Sequence, residues 1–447
     1  MTYVPPSDEQ IFALRICAGI EELADSERFA AASADVVEAI VAGIGDFAAG
    51  EWAPLNRIGD TQGSRCVDGV VSSPAGYAEA YRGFVEQGWG SIAGPAEFGE
   101  IGAGIQLGPN VFRMFEKLGI TEKVRKLAVF PEYLMMRDSI TADIVTRIDL
   151  DESFLARFKH PYAVIHRADL HTALLEACKE YPDFITMKTS QKVTTMDDKG
   201  DRVVVSTETG EVHEGAAIVG ADGLWSIVRQ KIVGDGKPVV SGHITYRAVL
   251  PTSEMPEELR AWAMLLWAGE KTHLVQYPMR GGELYNLVAV FHSDKFAEGW
   301  DSYGDPAELH ERFARTCQPV RTLLGKIESW RMWVLCDRPP IRDWSRGNIT
   351  LLGDAAHPML QYLAQGANMA IEDAVCLARK IELSNGDTPG AFLAYQQERY
   401  LRTARVQLTA KLYGEAYHAS NATRDLRNAV LGARTQKEAM ESMAWLY

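Results

Sequence analysis

The chain has 447 residues, enough for two or three domains with cores of their own. Its formal net charge of −14 argues against nucleic acid or an anionic membrane as a general partner, though a local pocket can still be basic. No uncharged apolar run approaches the roughly 18 residues of a membrane span, and the six cysteines form no CxxC pair, so neither a zinc site nor a disulfide framework is expected. The opening MTYVPPSDEQ carries no basic or apolar leader, which makes the cytoplasm the expected location.

Residues 7–50 read as helices. Ile11, Leu14, Ala18 and Leu23 mark one apolar stripe, and Val37, Ile40, Val41, Ile44 and Phe47 another. Residues 51–99 are rich in Gly and Pro, with one helix expected around Tyr77–Gln87. Gly43-Ile44-Gly45-Asp46-Phe47-Ala48 matches G-x-G-x-x-A, the pattern of a dinucleotide loop. Such a loop must follow a strand, and the spacing upstream here is helical. Val4-Pro5-Pro6, Ala53-Pro54-Leu55-Asn56, Gly59-Asp60, Gly63, Pro74, Gly76 and Gly88-Trp89 resemble the N-terminal helical part of acyl-CoA dehydrogenases. That resemblance covers residues 3–98 and carries no catalytic residue with it. It implies a helical cap or an oligomerisation surface.

From Glu97 the pattern changes. Gly102, Gly104 and Gln106 lie in a Gly-rich turn that enters a helix at Pro109–Leu118, with Pro109 at a helix start. Tyr133–Arg137 and Ile144–Ile148 predict a β-hairpin. Arg167 opens a helical stretch and has Asp169 as an ion-pair partner within reach. Val193–Met196, Arg202–Thr207 and Glu211–Glu214 predict a meander. Ile218-Val219 reads as a buried strand, and Asp222-Gly223 as the turn after it. Ile244–Val249, Ala263–Trp267, His273–Tyr277 and Leu284–Phe291 predict a sheet, followed by helices at Glu308–Thr316 and Val320–Lys326. The C-terminal part, with Ala391–Tyr413 and Arg424–Ala433, is helical.

Asn348 to Leu352 is an apolar strand that ends at Gly353-Asp354-Ala355-Ala356-His357-Pro358. A loop then leads to Gly366, where a helix carrying Glu372-Asp373-Ala374 begins. A strand-end carboxylate suits a sugar hydroxyl, and the N–H groups of Gly366, Ala367 and Asn368 suit an anion. The plain alternative is a strand–loop–helix crossover with a capping Asp.

The stretch 353–379, with 97–118, 164–177 and 216–229, resembles the single-component flavoprotein aromatic hydroxylases of the para-hydroxybenzoate hydroxylase fold. The resemblance implies an α/β (mixed α+β) fold, with a Rossmann-like FAD/NAD(P)-binding domain and an inserted β-sheet substrate domain. Its parts would be residues 97–236 and 341–382 for the cofactor, 237–340 for the substrate, and 383–447 as C-terminal helices, after the helical segment 1–96. It implies FAD, NADH or NADPH, O₂ and an aromatic acid. Gln106, Arg167, Asp222, Gly353, Asp354, Gly366, Ala367 and Asn368 would hold the cofactor.

The strings ITADIVTRIDL, HLVQYPMRGGELYN and PMLQYLAQGA resemble the 3-hydroxybenzoate 6-hydroxylases within that family. By that resemblance His273, Tyr277 and Gln361 line the substrate pocket and Pro358 sits over the site of oxygen transfer. His273 would take or polarise the phenolic proton. Otherwise it is a strand histidine bonded to backbone. Arg247 and Arg280 are candidates for a substrate carboxylate. The family's first strand, G-x-G-x-x-G turn and second strand are missing, so the chain reads as a fusion of two gene pieces. A salicylate-type hydroxylase and a cofactor-poor remnant are the alternatives, and a homodimer is left open.

Overall fold

A computed structural model describes residues 3–16, 34–62, 65–67, 70–72, 74–77, 79–80, 103–294, 302–327 and 330–447. The chain divides into two compact units, Met1–Phe98 and Gly99–Tyr447.

In the first unit helices Ser7–Ile16 and Ala34–Phe47 are followed by one π turn at Ala48–Trp52, a short helix Asn56–Gln62 and a hairpin of β1 (Arg65–Val67) with β2 (Val70–Ser72). Gly43 and Gly45 lie inside the helix Ala34–Phe47. Among the described residues no strand precedes them, and a string inside a helix builds no phosphate loop. A Cβ on Gly45 would fall 2.9 Å from Pro5 Cβ, so close packing asks for glycine there. Most of the helix expected at Tyr77–Gln87 lies outside the described residues, as do Gly63, Gly88, Trp89, Gly102 and the junction region 95–99.

In the second unit an eight-stranded sheet dominates. In spatial order it runs β15 (Ser302–Tyr303), β16 (Arg331–Asp337), β11 (Val239–Pro251), β14 (Leu284–His292), β13 (Thr272–Met279), β12 (Ala263–Gly269), β4 (Tyr133–Asp138) and β5 (Ile144–Asp149). All pairs are antiparallel except β12 with β4. The hairpin 133–149 is thus hydrogen-bonded to the large sheet, although it lies within the span 97–236 expected to serve the cofactor. Every residue of β13 is buried, as suits a central strand covered on both faces.

Three smaller sheets complete the unit. β10 (Ile218–Gly220) pairs in parallel with β18 (Ile349–Leu351), which β17 (Ser345–Arg346) flanks. β3 (Gly104–Leu107) pairs with β6 (Ala163–His166). β7 (Val193–Asp198), β8 (Val203–Thr207) and β9 (Val212–Gly215) form the expected meander.

Helices Gly366–Leu383 and Thr388–Tyr417 pack beside these sheets. The second starts where Asp387 accepts a bond from Gly390 N at 3.0 Å and Pro389 fills an early position. An ionic network joins the two helices. Arg399 reaches Asp373 Oδ1 and Glu372 Oε2, each at 2.6 Å, and Arg402 grips both oxygens of Glu372 at 2.6 Å. Asn110 adds a bond to Glu372 at 2.7 Å. Burial alone would raise both carboxyl pKa values. The bonds reverse that and hold them below the usual range. Removing one member would leave a buried charge without its partner, at a cost of about 3–5 kcal/mol.

Candidate active site

A cavity of about 750 Å³ lies within the second unit. One wall is a face of the large sheet, and the two-residue period of strands decides which side chains it shows. On β13 this face carries His273, Val275 and Tyr277. On β14 it carries Val288, opposite both Val275 and Arg247. Arg247 on β11, Leu266 on β12 and Met136 on β4 continue it. The opposite wall comes from the loop after β18. There Gly353, Asp354 and Gln361 face the cavity, as do Gly366 and Ala367 at the helix start. Asp354 stands just past the carboxyl end of a strand in a parallel pair, where open α/β sheets bind ligands.

The cavity brings together Gln106, Arg167, His273, Tyr277, Gly353, Asp354, Gln361, Gly366 and Ala367. Pro358, Asp222 and Asn368 do not line it. Pro358 is buried, and its carbonyl accepts from Gln407 Nε2 at 2.8 Å; its neighbour Met359 faces the cavity instead. Asp222 accepts from Ser226 Oγ at 2.5 Å and from the N–H groups of Ile227 and Val228, so its carboxylate caps the helix Ile227–Ile232. Asn368 sits under the helix start and donates to the carbonyls of Gln106 and Ala364, while its Oδ1 is buried with no partner among the described residues.

Asp354 faces the cavity and is solvent-accessible there. Burial pushes its pKa up, with His357 and Arg167 nearby working against that. Gly353 has φ +61°, and a Cβ there would come within 3.0 Å of Ala370 Cβ. Both facts ask for glycine. The loop is braced from behind by Arg229, whose guanidinium donates to the carbonyls of Ala355 at 3.0 Å and Ala356 at 2.7 Å and pairs with Asp235. His357 bonds Asp373 at 2.5 Å, away from the cavity, so its role is structural.

On the sheet wall Gln361 is fixed at both ends of its amide. Its Oε1 accepts from Arg247 Nη2 at 2.6 Å and its Nε2 donates to Thr245 Oγ1 at 2.7 Å. No carboxylate among the described residues pairs with Arg247. Arg280 lies elsewhere, paired with Asp169 at 2.7 Å, and Arg167 faces the cavity. Tyr277 is buried against Gly104, where a Cβ would come within 2.4 Å of its ring. Burial raises the Tyr277 pKa, so the phenol stays neutral. Tyr162 donates to Gln106 Oε1.

Among the described residues the His273 ring bonds a side chain and no backbone group. Its Nδ1 lies 2.8 Å from His418 Nε2, which leaves Nε2 as the nitrogen for a ligand in the cavity. Burial pushes its pKa down to about 3, so the ring is neutral at ordinary pH. His418 Nδ1 in turn lies 2.9 Å from His292 Nε2. Sequence reading missed Arg229, His418, Tyr362 and Tyr417. Arg229, His418 and Tyr417 have their site partners more than 50 residues away, while Tyr362 directly follows Gln361 and its bond to His243 is what the string does not show.

A family model described as "FAD binding domain" matches residues 103–409, well over half of the chain. The chain belongs to that family. A 3-hydroxybenzoate 6-hydroxylase of Polaromonas naphthalenivorans is 44% identical over 351 residues, which is 78% of this chain and 87% of that protein. One of Klebsiella oxytoca is 42% identical over 351 residues, covering 78% and 88%. Among solved structures, a salicylate hydroxylase substrate complex has a TM-score of 0.67 at 24% identity, covering 77% of this chain and 88% of that one. Klebsiella pneumoniae HpxO complexed with FAD and uric acid has a TM-score of 0.67 at 22% identity, covering 77% and 87%. These two show the shared fold. No helix among the described residues is long and apolar enough to cross a membrane.

The residues present fit one half of FAD. A cavity-facing carboxylate at a strand end, two glycines without Cβ and a helix start with no side-chain cap suit the ribityl chain and the polar edge of the flavin ring. For the pyrophosphate the family's G-x-G-x-x-G turn is absent from the sequence.

Proposed function

We propose that this member of the FAD-binding family hydroxylates a small phenolic acid, 3-hydroxybenzoate, to gentisate, using FAD, a reduced nicotinamide and O₂. One observation carries the reading. A single cavity holds both the flavin-fitting loop and a wall bearing Arg247, Gln361, Tyr277 and a neutral His273. Arg247 supplies positive charge with no carboxylate partner among the described residues, in a chain of net charge −14, which suits an anionic substrate. The relatives' names support the choice of substrate.

Bound flavin would supply the passage of electrons from nicotinamide to O₂ and the transfer of one oxygen atom to the ring. The chain supplies the rest. Gln361 and Tyr277 orient the substrate, and the apolar side chains of Val275, Val288 and Leu266 keep water from it. A phenol ionises near pH 10. His273 Nε2 accepts a hydrogen bond from its hydroxyl and draws electron density toward the ring. Because burial makes the imidazolium costly, His273 works as an acceptor and does not store the proton.

His273→Ala tests this. Hydroxylation should slow by about 10²–10⁴-fold, while NADH oxidation continues and more of the oxygen leaves as hydrogen peroxide. The quantity to follow is coupling of NADH use to hydroxylated product. Unchanged coupling removes His273 from the chemistry. Product analysis separates gentisate from the product of a salicylate-type reaction.

A further inference from the structure

We propose that His243, His292 and His418 form a site for a divalent transition-metal ion of the imidazole-preferring class, such as zinc, nickel or cobalt. They come from three elements. His243 on β11 stands directly opposite His292 on β14, and His418 ends the helix Thr388–Tyr417. One ring nitrogen from each lies within 4.8 Å of the others. A tetrahedral zinc ion at about 2.0–2.1 Å from each nitrogen holds its ligands about 3.4 Å apart. The His418–His292 pair at 2.9 Å must open a little, and His243, now stacked on His292 with ring centroids 4.0 Å apart, must turn inward.

Two of the three rings already have the outer partners that orient metal-bound imidazoles. His418 Nε2 is held by His273 at 2.8 Å, and its Nδ1 faces His292. The Tyr362 hydroxyl holds His243 Nδ1 at 2.5 Å, which leaves Nε2. No carboxylate bonds any of the three rings among the described residues. Burial keeps the rings in the neutral form that binds metal. Three protein nitrogens leave one position for water. Cysteine spacing could not announce such a site, because its ligands are distant in sequence and hold no common motif.

The site has a consequence for the cavity, and this consequence rests on the role proposed above for His273. A metal on His418 Nδ1 requires the His418 proton on Nε2, where it is donated to His273 Nδ1. His273 then carries its own proton on Nε2 and offers the cavity a donor in place of an acceptor. Metal binding would therefore inhibit hydroxylation.

The full chain, stripped with a chelator, is titrated with Zn²⁺ against a chromophoric chelator, and with Co²⁺ while its visible absorption is recorded. One ion per chain and an intense tetrahedral cobalt band are expected. His292→Ala and, separately, His243→Ala should each weaken binding by about tenfold or more. Equal affinity in parent and variants overturns the site. If a variant does not fold, the cobalt spectrum of the parent decides, since the weak band of the aqueous ion would also overturn it. With the site shown, Zn²⁺ should lower coupling of NADH use to product in the parent. Zinc bound with coupling unchanged overturns the inhibition and leaves His273→Ala as the separate test of its role.

Discussion

We propose that flavin affinity turns on Asp354. It faces the cavity and has Gly366 directly across, where a Cβ would lie 3.7 Å from its Oδ1. A hydrogen bond from a sugar hydroxyl to such a carboxylate is worth about 1.5–3 kcal/mol. Asp354→Ala should therefore weaken FAD binding by about 10–100-fold, read by fluorescence titration of both proteins. Equal affinities would remove Asp354 from the site. This residue was legible in the sequence because its surroundings are local: strand, glycine turn and helix start follow one another within 20 residues. Asp222 shows the limit of the same approach. Its Asp-Gly string was equally legible, and the plain capping turn is what its carboxylate makes. Arg229 was not legible at all, because its partners at 355 and 356 are brought close only by the pairing of β10 with β18.

Among elements, the hairpin of β4 and β5 has an unusual anchor. Asp138 at the end of β4 is fully buried. It accepts from Arg424 Nε at 2.7 Å, Arg427 Nη2 at 3.1 Å and Asn428 Nδ2 at 3.0 Å, all on the helix Asn421–Gly432. Burial alone would raise its pKa, but the bonds from Arg424, Asn428 and the N–H groups of Ile140 and Thr141 outweigh this and hold it well below the usual range. A depressed carboxyl pKa contributes stability above the unfolded value near 3.9, and that contribution is lost as pH falls toward the folded value. Asp138→Asn should cost about 3–5 kcal/mol at neutral pH and flatten the fall in stability between pH 5 and 3. Urea unfolding across that range measures both. An unchanged pH profile would show that the anchor is not ionic. The hairpin strands themselves were expected from their β-rich runs. That they join the large sheet was not, because the β12–β4 pair bridges more than 120 residues.

At the scale of the molecule, most strands followed from residue patterns and the fold class from the family resemblance, while the start of the cofactor domain departs from the pattern that the resemblance implies. With the pyrophosphate turn absent from the sequence, the chain should bind FAD more weakly than relatives that carry it, since that turn's N–H groups and helix dipole hold the phosphates. Protein that stays yellow through gel filtration, with FAD at full occupancy, would contradict this. The helix Thr388–Tyr417 gives a finer handle. Its 30 residues extend about 45 Å at 1.5 Å per residue, with Arg399 and Arg402 bonded to Glu372 and Asp373 of the helix Gly366–Leu383 in the first half and Tyr417 and His418 at the far end. The helix is in effect a ruler between the two halves of the reaction. One alanine inserted after Leu408, itself exposed, would advance everything beyond it by about 1.5 Å and rotate it by about 100°. Arg399, Arg402 and Gln407 would keep their marks, and the histidine end would lose its own. FAD titration should then resemble the parent while oxygen is wasted as peroxide. If coupling survived the insertion, the far end of the helix would have no part in the timing of proton and oxygen transfer.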